Sequence, residues 1–261
     1  MITSARIRID TLMVQKGLVP SRERARALIL AGRVLVSEQK VDKPGTAFAD
    51  DVPIRILGQI DGKDQRYVSR GGLKLEAALA HWTIPVDGRA CLDIGTSTGG
   101  FTDCLLQHGA SHVSCVDTGY GQIAMSLRQD ARVKLYERTN ARLLAPGLLD
   151  ATPPALTLLV MDVSFIAASL VLPAVRAAAT SLTEAVVLVK PQFEAGREHV
   201  GKGGIVRDPL AHQIAIDRVA QCLTGLGAHS IEVIPSPITG MEGNHEFLLH
   251  ALLGAVSPGS H

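Results

Sequence analysis

From residue 67 onward, short apolar runs alternate with segments in which apolar residues recur at helical spacing. Nearly wholly apolar strands that alternate with helices are typical of a parallel sheet with helices packed on both faces. We therefore predict an α/β domain over residues 67–261, and we predict that the glycine-rich segment 194–209 within it is a mobile loop. The strands are expected near Cys91–Ile94, Val113–Val116, Leu156–Met161, Ala185–Val189 and Ser230–Ile234.

The first 58 residues show a different pattern, which predicts a small α+β module. Helical spacing of apolar residues begins at Ile9, and Ser21 is placed to cap a second helix over residues 22–31 that stops at Gly32. Two short strands are expected after it, and the polar stretch 59–66 (QIDGKDQR) is expected to be a linker. The two strands are Arg33–Ser37 and Val52–Ile56.

Composition and charge narrow the function classes. The 261 residues contain no run of about 18 apolar residues, so a membrane partner is not expected, and the N-terminus has no apolar signal core, so we expect a cytoplasmic protein. The cysteines form no C-x-x-C pair, which favours reduced core thiols over a disulfide or a metal site. The net charge is only +1, but residues 1–58 hold ten Lys/Arg against six Asp/Glu, which hints at an anionic partner. The four cysteines are Cys91, Cys104, Cys115 and Cys222.

The segment CLDIGTSTGGF (91–101) predicts a strand, a glycine turn and a helix, and several functions use such a turn. A dinucleotide fingerprint needs glycine where Ser97 stands, and no G-K-[ST] follows for a phosphate loop. The pattern G-x-S-x-G does match Gly95–Gly99, so a serine hydrolase with Ser97 as nucleophile is a rival. Its triad would use Asp162 with His229 or His245.

A fourth use of the turn is to bind S-adenosylmethionine, which has no pyrophosphate. A tight glycine turn lets the backbone approach the methionine and ribose parts of this cofactor. An acid at the end of the next strand can then accept two hydrogen bonds from ribose hydroxyls. Asp117 lies at that position, 22 residues after Gly95, and the hydrolase interpretation gives it no role.

Charged residues also stand at the ends of apolar strands. Asp162 ends the segment LLVMD and Lys190 ends the segment VVLVK, and in open α/β sheets ligands bind at this edge. Lys74, before the first strand of the domain, and Glu246, near the C-terminus, are further candidates. Each charge alone is as well explained by an ordinary surface ion pair.

The motifs taken together resemble known families. The run from Leu12 to Ile56 resembles an S4 RNA-binding domain, in which a helix pair and the following strands place basic residues on structured RNA. From residue 67 on, the chain is similar to the FtsJ-type ribose 2′-O-methyltransferases. The whole chain resembles the TlyA-type ribosomal RNA methyltransferases, also called the haemolysin A family. The motifs that carry this likeness are VSRGGLKL, LDIGTSTGGFTDCLLQ, GYGQIAMSLR, ERTNAR, MDVSFI, LVKPQFE and GNHEFLL.

The resemblance implies a Rossmann-like domain with a seven-stranded, mostly parallel sheet that uses S-adenosylmethionine to methylate ribose 2′-hydroxyls, with cytidines of ribosomal RNA or ribosomal subunits as the expected targets. It implies a catalytic tetrad of Lys74, Asp162, Lys190 and Glu246. The expected cofactor residues are Asp93, Gly95, Ser97, Gly99, Gly100, Phe101, Asp117, Asn140 and Asp162. The expected RNA-binding residues are Arg22, Arg26, Arg33 and Arg70.

The chemistry suits these residue types. Methyl transfer to a ribose hydroxyl needs the oxygen placed in line with the methyl group and a base to remove a proton. A lysine can be that base only when neutral, and a second ammonium nearby disfavours protonation of both. We interpret Lys190 as the base and Lys74 as the residue that positions the target oxygen. Two rivals stay open, the serine hydrolase and a catalytically silent RNA-binding protein of ribosome assembly.

Overall fold

In the computed structural model the chain folds as two units, Met1–Lys63 and Asp64–His261. The structure describes residues 6–19, 21–30, 32–37, 39–56, 66–151, 154–240 and 243–254. Except for Arg66, the predicted linker 59–66 lies outside these described residues.

The described residues of the N-terminal unit form two helices and five short strands. Strand β2 lies between β3 and β5 in an antiparallel sheet, and β1 pairs with β4. The predicted α+β module is confirmed, and the predicted strands appear in shortened form. The elements are β1 (Ile7–Arg8), α1 (Ile9–Gln15), α2 (Arg22–Leu30), β2 (Val34–Val36), β3 (Gln39–Val41), β4 (Ala47–Phe48) and β5 (Ile54–Ile56).

Helix α2 begins where the sequence predicts, and its described part ends at Leu30. The Ser21 hydroxyl accepts a hydrogen bond from the Arg24 N–H at 3.2 Å, which satisfies one of the free donors of the first turn. Gly32 has φ +65°, the left-handed conformation that ends many helices, and residue 31 lies outside the described residues. The inner faces of both helices pack on the sheet through Ile9, Met13 and Ile29, which are fully buried.

The C-terminal unit is built on a seven-stranded sheet in the order β11-β12-β10-β9-β6-β7-β8. Strand β12 runs antiparallel to both of its neighbours, and the other described pairings are parallel. The strands are β6 (Ala90–Ile94), β7 (His112–Val116), β8 (Val133–Tyr136), β9 (Leu158–Met161), β10 (Glu184–Val189), β11 (Ala228–Pro235) and β12 (Phe247–Leu253). The helices are α3 (Gly71–His81), α4 (Gly100–Gln107), α5 (Met125–Arg128), α6 (Ala168–Ala178), α7 (Pro191–Glu194) and α8 (Pro209–Gly225).

Both faces of this sheet are covered, as predicted. Leu92 and Ile94 of β6 point into a core shared with α6 and α8, whereas Cys91 of the same strand faces the core under α3 and α4. All five predicted strands are confirmed. The seven-stranded, mostly parallel sheet implied by the resemblance is confirmed as well. The four cysteines are free thiols, and three of them are buried.

The glycine-rich segment 194–209 contains more structure than the sequence suggests. It includes two short 3-10 turns, Arg197–His199 and Lys202–Gly204. The buried Asn244 holds the segment, because its side chain accepts from the Val206 N–H and donates to the Gly204 carbonyl, both at 2.9 Å. Mobility of this segment stays a prediction. In the described part of the chain, none of the helices combines the length and apolarity that a membrane span requires.

Candidate active site

The strand pairings bring three predicted site residues to one edge of the sheet. Strands β7, β6 and β9 are adjacent and parallel, so their carboxyl ends meet. The Gly95 N–H donates to the Val116 carbonyl, and the Asp162 N–H donates to the Ile94 carbonyl, each at 2.9 Å. Gly95, Asp117 and Asp162 therefore follow three neighbouring strands at the edge where ligands bind in open α/β sheets.

The turn after β6 is shaped by close backbone contacts. Gly95 has φ +84°, and a Cβ at this position would lie 2.5 Å from the Asp162 carbonyl oxygen. Glycine is therefore required both by conformation and by space. Ser97 also adopts a left-handed conformation, with φ +51°, and its N–H donates to Asp117 Oδ2 at 2.7 Å. The carboxylate of Asp117 thus fixes the turn.

Asp117 stands at the mouth of a cleft that suits a nucleoside. Its Oδ1 accepts a further hydrogen bond from the Gly119 N–H at 2.6 Å. A carboxylate offers about four acceptor positions, so acceptor capacity is left for the hydroxyls of a ribose. The lining of the cleft combines polar and apolar side chains, a composition that suits a nucleoside. Its lining includes Thr96, Ser97, Asp117, Ile123, Leu135 and Glu137.

The remaining residues of the glycine turn pack against the start of α3. A Cβ on Gly100 would lie 2.2 Å from Ser69 Oγ and 3.0 Å from the Gly72 nitrogen, so only glycine permits this approach. Phe101 is buried beside Gly71. Gly99, with φ +96°, precedes α4. These contacts hold α3 against the turn, and they explain Gly100 and Phe101 by packing alone.

Asp93 lies behind the turn and is fully buried. Its Oδ2 accepts from the Thr102 hydroxyl at 2.6 Å, and its Oδ1 has no hydrogen-bond partner among the described residues. Burial raises the pKa of Asp93 to about 7, and the negative charges of Asp162 and Asp117 add to that shift. The Asp93 side chain thus contacts α4, and it is not among the residues that line the cleft.

Lys74 and Glu246 form a buried ion pair. Lys74 lies in the first turn of α3, and its Nζ donates to Glu246 Oε2. Glu246 directly precedes β12, and 172 sequence positions separate the two residues. The side chains are 10% and 3% exposed, so water screens this interaction weakly.

Lys190 and Asp162 form a second pair. Lys190 follows β10, and its Nζ lies 2.6 Å from Asp162 Oδ1. The same nitrogen donates to Ser164 Oγ at 2.7 Å. The side chains of Lys190 and Asp162 are 11% and 22% exposed, so this pair is more accessible to a ligand than the pair of Lys74 and Glu246.

The register of the sheet brings the two pairs side by side. Val189 of β10 is opposite Phe247 of the antiparallel β12, so Lys190 and Glu246 are neighbours at the position just beyond this pairing. The four charged residues therefore form a row in the order Lys74, Glu246, Lys190, Asp162. The row lies at the same edge as Gly95, because the Gly95 turn touches the backbone of Asp162.

The arrangement that a serine hydrolase would need is not formed by the described residues. Asp162 pairs with Lys190, and the His245 ring packs against His212 with 5.8 Å between the ring centroids. No described hydrogen bond joins Ser97 Oγ to a histidine. Asn140 lies beyond the β8 end, where its side chain accepts from the Arg142 N–H and caps a short turn.

Two residues of this edge were missed by the sequence interpretation. Ser164 contacts Lys190, and the adjacent Phe165 is 93% exposed with φ +65°, an outlier for a bulky residue. The Phe165 ring lies 5.7 Å from the Phe193 ring, centroid to centroid. Ser164 and Phe165 belong to the motif MDVSFI, but nothing in that motif shows whether its phenylalanine is exposed or lies in the core.

The predicted RNA-binding arginines occupy different settings. Arg22 and Arg26 are both exposed on α2, and Arg22 donates to the buried Asp10 at 3.2 Å. Arg33 is half-buried, and burial lowers its pKa. Arg70 belongs to the other unit, where it stands immediately before α3. Arg22 and Arg26 are therefore the best placed of the four to meet an anionic partner.

Comparison with known proteins confirms the domain type that the sequence predicts for each unit. Residues 67–252 match the family of FtsJ-like methyltransferases, and residues 7–48 match the S4 domain. The 16S/23S rRNA (cytidine-2′-O)-methyltransferase TlyA of Mycobacterium tuberculosis is 45% identical over 244 residues, which cover 94% of this chain and 89% of that protein. Hemolysin A of Brachyspira hyodysenteriae is 38% identical over 95% of this chain and 100% of its own length.

A solved structure shows the same architecture. A Streptococcus thermophilus protein that bears the hemolysin name is 39% identical and superposes with a TM-score of 0.68, over 97% of this chain and 90% of that one. The likeness thus extends through both units, and the identities exceed the level at which only the fold is shared. The chain belongs to the TlyA-type family of rRNA methyltransferases, in which an S4 domain precedes an FtsJ-like methyltransferase domain.

Proposed function

We propose that this protein methylates the 2′-hydroxyl of a cytidine ribose in ribosomal RNA and uses S-adenosylmethionine as the methyl donor. The cytoplasm, where ribosomes are assembled, is the proposed place of action. The single observation that carries the proposal is the row of two lysines and two carboxylates beside a cleft with a nucleoside-like lining. The name of the M. tuberculosis relative supports cytidine and ribosomal RNA as the target class.

The cofactor would be held by the glycine turn and Asp117. The turn offers close backbone approach at Gly95, and Asp117 offers free acceptor positions for the ribose hydroxyls. Bound there, S-adenosylmethionine supplies a methyl group on a positively charged sulfonium. The carboxylate of Asp162 follows the adjacent strand, where its negative charge favours a nearby cation.

Lys190 is the proposed base. In its neutral form the amine accepts the proton of the ribose 2′-hydroxyl, and Asp162 then stabilises the ammonium that forms. Lys74 is assigned to the target oxygen, on which its ammonium stabilises negative charge while Glu246 holds the side chain in place. The two lysines are almost equally exposed, at 11% and 10%, so the division follows their carboxylate partners, of which Asp162 is 22% exposed and Glu246 3%.

The RNA is proposed to be recognised at two places. Residues 1–58 carry ten basic residues against six acidic ones, which suits contacts to phosphates. At the active-site edge, Phe165 presents a nearly fully exposed ring directly after Ser164. Exposed aromatic rings stack on unpaired bases, so Phe165 is proposed to hold the base of the target nucleotide.

The test is transfer of labelled methyl groups from S-adenosylmethionine to ribosomal RNA and to isolated subunits. Mass mapping of the product should find one or a few 2′-O-methylated cytidines. The change of Ser97 to alanine should leave at least part of the activity, whereas a serine hydrolase would lose all of its activity. If the wild-type protein binds ribosomal RNA but transfers no methyl group to either substrate, the silent RNA-binding alternative is favoured.

A further inference from the structure

The ammonium group of Lys190 has two close partners, and they differ in kind. The Asp162 carboxylate lies 2.6 Å away, but Oδ1 has no partner in hydrogen-bond geometry among the described residues. The Ser164 hydroxyl, at 2.7 Å, does accept a hydrogen bond from Nζ. Asp162 therefore supplies charge, and Ser164 supplies the directional contact that fixes the orientation of the nitrogen.

The loop that carries Ser164 is held in an unfavourable conformation. Phe165, the next residue, has φ +65°, a region that bulky residues avoid. Its side chain is 93% exposed, so burial of the ring does not explain why the strain persists. Strained residues of this kind are maintained only where surrounding contacts determine them, and they cluster at functional sites.

The helix that follows Lys190 is bonded to the start of α6, just after this loop. Glu194, at the end of α7, is 1% exposed and accepts from Ser169 through both oxygens, at 3.2 Å from the N–H and 2.8 Å from the hydroxyl. Ser169 stands in the first turn of α6, directly after the loop. The segment after Lys190 thus fixes the point at which the loop that carries Ser164 joins α6.

We infer that Ser164 is a positioning residue for the base, and that the strained turn exists to aim its hydroxyl at Lys190. This inference rests on the proposed methyl transfer. A neutral amine has two N–H bonds and one lone pair. When one N–H bond is directed at the Ser164 hydroxyl, the amine no longer rotates freely, so its lone pair samples fewer directions as the target hydroxyl approaches.

The reaction then balances without another reactant. The proton of the ribose hydroxyl moves to Nζ of Lys190, and its bonding electron pair stays on the oxygen. The oxygen forms a bond to the methyl carbon as the carbon–sulfur bond of the donor breaks, with its electron pair left on sulfur. The resulting ammonium donates to Ser164 and has N–H groups left for the new ether oxygen, while the nearby charge of Asp162 stabilises it.

The pair of Lys74 and Glu246 is built differently. In the described part of the chain, the hydrogen bond of Lys74 goes to Glu246 alone, and no hydroxyl accepts from its Nζ. The two lysines are therefore not equivalent, and the hydroxyl marks Lys190 as the one whose orientation is controlled.

The test compares Ser164→Ala with Ser164→Thr, which restores a hydroxyl. Ser111→Ala is the matched control, because it removes a serine hydrogen bond of the same length, 2.7 Å, from the opposite edge of the sheet. Single-turnover methyl transfer is measured at saturating S-adenosylmethionine, together with the affinities for cofactor and RNA and the melting temperature.

We expect Ser164→Ala to lower the single-turnover rate by about tenfold to about a hundredfold, the range for removal of a hydrogen bond to a charged group. Both affinities should stay at their wild-type values, Ser164→Thr should restore most of the rate, and Ser111→Ala should match wild type. The rising limb of the pH–rate profile of Ser164→Ala should move to lower pH, because an acceptor that favours the protonated amine is gone.

A wild-type rate in Ser164→Ala overturns the inference, and so does an equal loss in the alanine and threonine variants with an unmoved pH profile, which would indicate loop shape alone. A change confined to RNA affinity overturns it as well. In each case the wild-type enzyme still methylates RNA, so the proposed function stands. Absence of methyl transfer by the wild-type protein would instead refute the proposed function.

Discussion

Asp10 in the S4 unit and Asp93 in the methyltransferase unit are both fully buried, yet their charges are handled in opposite ways. Asp10 accepts hydrogen bonds from Arg8 and Arg22, and these partners hold its pKa well below its usual range. Asp93 accepts from the Thr102 hydroxyl, its Oδ1 has no partner among the described residues, and burial raises its pKa to about 7.

The difference between the two pKa values follows from where each unit places its cationic side chains. In the S4 unit the buried carboxylate holds two guanidinium groups that remain about half exposed, where they can meet phosphates. In the methyltransferase unit the two lysines of the site do not pair with Asp93. They lie at the sheet edge, where Lys74 pairs with Glu246 and Lys190 with Asp162. Under the proposed function, the first unit displays charge that binds RNA, and the second concentrates charge for methyl transfer.

The largest expected effect comes from the charge at the sheet edge. Lys190→Ala and Lys190→Arg should each reduce methyl transfer by about 10²–10⁴-fold, the usual contribution of a general base. Arginine keeps the positive charge but stays protonated at any workable pH, so it cannot replace a base. Single-turnover labelling of ribosomal RNA measures the effect, and calorimetry should show that cofactor binding survives.

Near-wild-type turnover by Lys190→Arg would contradict the assignment of Lys190 as the base. The role of the residue would then be to supply positive charge and to position the substrate. The matched variant is Lys74→Arg, which should retain more activity, since a positive charge is what its proposed role requires. A double change of Lys74 and Lys190 to alanine should cost little more than the worse single change, because residues that act as a unit are not additive.

The contrast between the strands that were predicted and those that were missed shows which strands can be predicted from the sequence. The confirmed strands are short apolar runs bounded by turn residues, and Ser21 and Gly32 marked the ends of α2. Strand β8 is half-buried at the sheet edge and carries Lys134, so its apolar signal is weak. Strand β12 is apolar on both faces except for His250, and such a run does not reveal whether it forms a strand or a helix.

The site could be predicted only in part for a similar reason. Charges at the ends of apolar strands mark Asp162 and Lys190, because strand ends can be read from local pattern. The pairing of Lys74 with Glu246 spans 172 positions and depends on the antiparallel insertion of β12 between β10 and β11. Ser164 is recognisable only from a hydrogen bond and a backbone angle, neither of which leaves a pattern in the residue types.

The next effect tests the contrast between the two buried acids. Because the folded-state pKa of Asp93 is raised, its protonation stabilises the fold below about pH 4, and this contribution is lost as the pH rises to about 7. Asp93→Asn is neutral at every pH, so its stability relative to wild type should rise across this window by about 1.4 kcal/mol per pH unit. Denaturant unfolding followed by fluorescence of Trp82, the single tryptophan, reports on this unit.

Asp10→Asn should show the opposite sign. The lowered pKa of Asp10 means that its stabilising contribution is present above about pH 4 and is lost as the pH falls. Hydrogen exchange in the N-terminal unit should therefore reveal destabilisation at neutral pH that disappears in acid. Equal behaviour of the two variants would show that the two units do not differ in this way.

Asp117 provides a third carboxylate, at the cleft rather than in a core. Asp117→Ala should weaken binding of S-adenosylmethionine by about 1.5–3 kcal/mol, the value of hydrogen bonds to a charged group. This change also leaves the Ser97 and Gly119 N–H groups without their acceptor. Asp117→Asn keeps one acceptor oxygen, so it should lose less affinity for the cofactor. Unchanged affinity of both variants by calorimetry would remove Asp117 from the cofactor site.

The smallest effect concerns the displayed charges of α2. Arg22→Glu and Arg26→Glu should each weaken RNA binding and flatten its salt dependence, by about one unit of slope for each phosphate that the variant no longer neutralises. Arg24→Glu is the matched control: it makes the same change of charge on the same helix, but two positions from either residue a helix presents its opposite face. Raising the salt from 50 to 150 mM weakens RNA binding by the wild-type protein and by the double variant. If the slope of the double variant is smaller by two units, its loss of affinity over this range is about ninefold smaller than that of the wild type.

Filter binding of a ribosomal RNA fragment at several salt concentrations gives these slopes directly. If the variants of Arg22, Arg24 and Arg26 change the slope equally, the RNA senses only the net charge of the unit, and the face formed by Arg22 and Arg26 has no special role. If cofactor affinity changes as well, the separation between a binding unit and a catalytic unit does not hold.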